Sequence, residues 1–208
     1  MVTIDHRDRA NGAFAIALFG AAAFGILAVS IESHSTAYVD GRVRAMFPKR
    51  RRRNTKRIVG SIGPLGTSWV HGSISVALAF LMHRRRGSVP AASVLLCSTL
   101  AIGLSTLFEH TLPQRKPPPG RHSPTEPSFP SGHSLKTAAT SAMLAYVMSR
   151  EKLAPGAIAV PLAVWIPVLS GLSRMYLDRH WATDVGGGLL AGVTLAAGCA
   201  GIYERARE

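Results

Sequence analysis

Two clusters of polar residues in this sequence have the types and spacing to handle a phosphate group. The first is Pro130-Ser131-Gly132-His133. Ser131 suits a helix N-cap, and the free N–H groups of a helix start form an anion site. Gly132 lets a backbone amide approach a phosphate without side-chain interference. His133 then stands beside the anion, where an imidazole can protonate a leaving oxygen. The bland alternative is a capped helix with an incidental histidine. The second cluster is Ser173-Arg174, His180 and Asp184. His180 and Asp184 are four residues apart and share one face of a helical turn. A carboxylate that accepts one ring N–H leaves the other nitrogen basic, which makes a histidine a nucleophile or a base. Arg174 offers a planar fork of donors that matches phosphate oxygens. The alternative here is an interfacial histidine and a helix-capping aspartate, with Trp181 in a membrane-interface belt.

The elements that must position these clusters read as membrane helices. The 208-residue chain is 47% hydrophobic and only 17% charged, with a mean hydropathy of +0.20. Soluble domains carry about a quarter charged residues. Apolar runs give an all-α bundle of six transmembrane helices in one domain, 1–208, with helices near 13–31, 58–82, 89–108, 133–149, 157–172 and 184–203. Pro64 should kink the second helix, and Pro161 and Pro167 should break the fifth. Between the third and fourth, Pro113 to Pro130 holds seven of the chain's 13 prolines and reads as an extended, stiff loop. The formal net charge of +13 lies mostly in short basic stretches beside the apolar runs, such as Lys49 to Arg57. Contact with anionic headgroups explains this better than nucleic acid, for which no reader motif is present. Cys97 and Cys199 fall inside apolar runs and define no disulfide framework. In an alternating six-helix chain, the third-to-fourth and fifth-to-sixth loops lie on the same side. That brings both polar clusters together.

Phe129-Pro130-Ser131-Gly132-His133 and the stretch from Ser173-Arg174 through His180 to Asp184 resemble the second and third signature motifs of the type 2 phosphatidic acid phosphatase superfamily. The resemblance extends over roughly residues 58–203. It implies a metal-independent, cofactor-free membrane phosphatase that hydrolyses a lipid phosphate or diphosphate through a phosphohistidine. Phosphatidic acid, phosphatidylglycerol phosphate and polyprenyl phosphates or diphosphates are the implied substrates. His180 matches the nucleophile, Asp184 its orienting partner and His133 the general acid. Ser131, Gly132 and Arg174 match phosphate-binding positions. A multi-pass protein of the cell (inner) membrane of a bacterium is expected, with the bilayer and its lipid substrate as partners. Sidedness and oligomeric state stay open. The family topology puts nine Lys/Arg of the first loop outside, against the positive-inside preference.

The first family motif, a lysine, six residues and then Arg-Pro, is altered. Aligning its proline with Pro117 puts Lys116 at the arginine position and Glu109 at the lysine position. Lysine keeps the charge of arginine but loses the fork, and glutamate reverses the charge beside an anion. Arg115 or Arg121 could compensate. Lys136 could snorkel or point into the site, and His71 reads as a packed core histidine. His110 and His122 flank the loop, but carboxylates for a hard metal are few, so no metal site is assigned. Two rivals keep the same fold signals. One is a catalytically weakened lipid-binding or scaffold protein. The other is a vanadate-dependent haloperoxidase, which the apolar segments disfavour.

Overall fold

The computed structural model describes residues 5–47, 53–112, 115–119 and 127–208. These residues are helical with no strand. They form α1 (His6–Glu32), α2 (Ala37–Ala45), α3 (Arg53–Ile62), α4 (Ser68–Arg86), α5 (Ser88–Thr111), α6 (Gly132–Arg150), α7 (Gly156–Tyr176) and α8 (Ala182–Arg205). Asp5 caps α1, its carboxylate accepting the His6 N–H at 2.7 Å. The helix carries large apolar side chains on its outside, with Leu18 and Phe19 about three-quarters exposed. A water-soluble protein seldom presents such a surface, whereas lipid accepts it.

Helices α1, α5, α7 and α8 are each long and apolar enough to cross a membrane. The pair α3 and α4 makes a fifth candidate, bent by 61°. The bend falls at a short 3-10 turn, Gly63–Gly66, that contains Pro64. The expected fourth helix, α6, is less apolar because Lys136, Thr137, Thr140 and Ser141 lie along it. It is the inner helix of the bundle: Leu135, Ala139, Met143 and Val147 are fully buried, packed with Val94 and Cys97 of α5 and Ala196 of α8. The chain is therefore a helical membrane protein with, among the described residues, four or five candidate apolar spans around α6. Two details differ from the sequence reading. α7 runs unbroken through Pro161 and Pro167, because a helix in lipid can leave carbonyls to neighbouring groups. The polar stretch after α1 contains α2, too short and too polar to announce itself by periodicity.

α8 lies against α6 with almost no side-chain spacer. A first side-chain carbon at Gly192 would sit 2.5 Å from the Leu135 carbonyl oxygen, and one at Gly188 would collide with the Ser131 carbonyl. Small residues let backbones approach in this way. His71 on α4 is buried, its Nε2 2.9 Å from Thr140 Oγ1 of α6. The C-terminal ends of α5 and α7 and the N-terminal ends of α6 and α8 meet at one end of the bundle, where α2 lies against α8.

Candidate active site

At that end, a cavity of about 280 Å³ opens among Gly132, His133 and Lys136 of α6, Arg174 of α7, Arg179 and His180 of the α7–α8 connection, Glu109 of α5, and Pro117, Pro127 and Pro130. Both polar clusters of the sequence thus face one space. Ser131 caps α6: its Oγ accepts the Ser134 N–H at 3.4 Å and the Ser134 hydroxyl at 3.1 Å. Its own N–H donates to the Asp184 carbonyl at 2.9 Å, which ties the start of α6 to the start of α8. Ser131 is fully buried, so its side chain serves the cap and does not line the cavity. Gly132 is required by close approach, since a side chain there would meet Ser105 Oγ at 2.9 Å. His133 packs against Gly66, and Arg174 against Gly63, so the 3-10 turn before α4 backs both residues.

His180 lies outside the spanning helices, between α7 and α8. Its Nδ1 is 2.7 Å from the Ser128 carbonyl oxygen. A carbonyl only accepts, so Nδ1 carries the hydrogen, and Nε2 keeps its lone pair. Asp184 was expected to accept this N–H, but its Oδ2 is 3.9 Å from Nδ1. The carboxylate instead accepts the Trp181 N–H at 2.7 Å and Arg115 at 2.8 Å. Asp184 is engaged in closing the first turn of α8, and a backbone carbonyl is the nearer partner of the ring. Burial lowers the His180 pKa to about 4, with Arg174 and Arg179 adding to the effect and the Ser128 carbonyl opposing it. At pH 7 His180 is therefore a neutral imidazole.

The altered first motif falls in two places. Glu109 lines the cavity. Lys116 is exposed and lies outside the lining; its carbonyl, not its ammonium, meets this region by accepting Trp181 Nε1–H at 2.9 Å. Arg115 does not reach the cavity either. It donates to Asp184 Oδ1 at 2.8 Å, Thr183 Oγ1 at 2.8 Å and Asp40 Oδ2 at 2.6 Å, and it lies over the Trp181 ring. Two carboxylates claim this guanidinium, so it braces the site from behind. His110 is exposed on α5 and does not line the cavity. Arg121, His122 and the basic residues from Lys49 to Arg52 lie outside the described residues. Among the described residues, no three His, Cys, Asp or Glu side chains converge to hold a metal.

Three positions escaped the sequence reading. Asp40 of α2 is buried, and it accepts the Thr183 N–H at 2.9 Å, the Thr183 hydroxyl at 2.7 Å and Arg115. No local pattern marks it, because its partner Thr183 is 143 positions away. Ser128 contributes a backbone carbonyl, which has no sequence signature. Arg179, beside His180 in the second cluster, was legible as a cation but not as part of the lining.

Comparison with known proteins gives three findings. The family model described as the PAP2 superfamily matches residues 92–208. Phosphatidylglycerophosphatase B of Bacillus subtilis (strain 168) is 40% identical over 75 residues. That match spans 33% of this chain and about a third, 35%, of the relative's length. The crystal structure of a transmembrane PAP2-type phosphatidylglycerolphosphate phosphatase from Bacillus subtilis superposes with a TM-score of 0.79 at 25% identity. The superposition covers 91% of this chain and 96% of that one.

Proposed function

Because the chain belongs to the PAP2 superfamily, we propose that it is a lipid phosphate phosphatase in which His180 attacks phosphorus and His133 serves the leaving group. One observation carries this reading: His180 and His133 face the same cavity with Arg174 and Arg179, and His180 presents a neutral Nε2. The Nε2 lone pair forms a P–N bond as the bond from phosphorus to the lipid oxygen breaks. His133 gives its proton to that oxygen, and the dephosphorylated lipid leaves as a neutral hydroxyl. Water then attacks phosphorus, the now neutral His133 takes a water proton, and the P–N bond breaks to restore His180 and release phosphate. The substrate's negative charge favours the imidazolium form of His133 that the first step needs. Arg174, Arg179 and the N–H groups at the start of α6 stabilise the equatorial oxygens, where positioning and positive charge contribute most. Asp184 acts through the α8 turn and Arg115, not by a short bond to the ring.

A lipid bearing a terminal phosphate in the headgroup plane suits a cavity at the end of the bundle. Phosphatidylglycerol phosphate is the first candidate, because both related proteins are named for it. Phosphatidic acid and polyprenyl phosphates or diphosphates are the comparison set. Six crossings, with α6 and the bent α3–α4 pair counted as spans, and a bacterial cell (inner) membrane complete the reading. The test is phosphate release from this lipid panel by detergent-purified protein in EDTA. Wild type should release phosphate, and His180→Ala should be at least about 10³-fold slower, the scale of losing a positioned nucleophile. A folded wild type that releases none from any lipid would favour the scaffold reading. Bromide oxidation with added vanadate would favour the haloperoxidase.

A further inference from the structure

Two residues of the cavity lining have no part in that mechanism. Lys136 follows His133 by one helical turn on α6 and is only 5% exposed. Its Nζ donates to Ser68 Oγ at the start of α4, 3.0 Å away. An ammonium carries three donors, and a charge this buried is costly without an anion. Glu109, at the end of α5, lines the same cavity beside Gly132, its Oε1 3.6 Å from where a side chain at Gly132 would begin. Its carboxylate attracts Lys136 electrostatically. Position 109 is where the family resemblance calls for a cation.

We propose that Lys136 is a phosphate-contacting cation of this site, delivered from α6, with Glu109 as the counter-ion that positions it in the empty state. The placement is a charge exchange across the cavity: the positive group moves from α5 to α6, and the negative group takes its former place. A phosphate entering between Lys136, Arg174 and the start of α6 gains a third donor set that Lys116, exposed and outside the lining, does not supply. Glu109 is then a positioning residue and Lys136 a binding residue. The proposal rests on the reading of the cavity as a phosphate site.

The experiment measures kcat and KM for a short-chain phosphatidylglycerol phosphate, and the inhibition constant of orthovanadate. Wild type is compared with Lys136→Met, Lys136→Arg, Lys136→Glu, Glu109→Gln and the exchanged pair Glu109→Lys/Lys136→Glu. Each variant is checked for folding by size exclusion in detergent. Lys136→Met should raise KM and the vanadate constant by about 10- to 100-fold, the scale of one charge-assisted hydrogen bond, and Lys136→Arg should recover most of that loss. Glu109→Gln should raise KM several-fold, whereas a carboxylate that merely repels the anion would lower KM when removed. The exchanged pair should bind vanadate better than Lys136→Glu alone. Wild-type turnover with KM and vanadate inhibition within twofold in Lys136→Met would overturn the proposal while leaving the phosphatase reading intact. A folded wild type without turnover or vanadate binding would overturn both.

Discussion

His180 is held by groups far from it in sequence, and its state in the empty site has a measurable consequence. Its pKa of about 4 lies below the ordinary 6.5 because burial penalises the imidazolium and Arg174 and Arg179 repel it. The unfolded chain therefore binds more protons between those values, so this residue's contribution to stability is complete above about pH 6.5 and is lost as pH falls toward 4. Histidine ring NMR of detergent-solubilised protein should show His180 neutral at pH 6 with hydrogen on Nδ1. Added orthovanadate should shift its titration upward, since a bound anion favours the cation. A ring that titrates near 6.5 in the empty protein would contradict the burial argument. Asp40 makes the second prediction at this scale. Asp40→Ala removes three acceptor contacts that hold Thr183 and Arg115, so it should cost about 2 kcal/mol of stability. It should also lower kcat more than KM, because Arg115 and Asp184 shift behind His180 while the cavity cations stay. Equal losses in both constants, or none, would place Asp40 outside the support of the site.

At the scale of elements, the joint between α6 and α8 decides whether the two polar clusters meet. Each cluster was legible locally: a proline, a capping serine, a glycine and a histidine at a helix start, and an arginine, a histidine and an aspartate at the next. Their convergence followed from counting crossings. What spacing could not show is how close the helices come, because that depends on Gly188 and Gly192 facing the α6 backbone at Ser131 and Leu135. Gly192→Val should push α8 outward and cost roughly 1–3 kcal/mol, the scale of overpacking. Its melting temperature in detergent should fall accordingly, and its activity should fall further than stability alone requires. Gly186, where a side chain meets open space, is the control. α1 begins at His6, seven residues ahead of the apolar run at Ala13 that made it legible. α2 was not legible, since its place is fixed by one buried aspartate and not by its own pattern.

The whole molecule is a bundle tied at both ends. Opposite the cavity, Glu204 of α8 is buried and accepts Arg150 at 2.6 Å, the Tyr146 hydroxyl at 2.7 Å and His6 at 2.5 Å, which joins α1, α6 and α8. That staple leaves the other end free to be shaped by its loops, where the cavity lies. Composition and apolar runs made the membrane class legible, and the resemblance made the phosphatase class legible. The altered first motif was the part whose arrangement sequence left open. A motif position says which residue is present, but only packing says that Arg115 meets Asp184, Lys116 is exposed outside the lining and Lys136 belongs to it. A covalent phosphate on His180 should be trapped by brief incubation with phosphatidylglycerol phosphate labelled in its terminal phosphate, followed by a base quench. Wild type should carry protein-bound label that survives base, is lost in acid as a P–N bond is, and is absent in His180→Ala. Turnover by wild type with no protein-bound label, together with retained activity in His180→Ala, would contradict the covalent phosphate on His180.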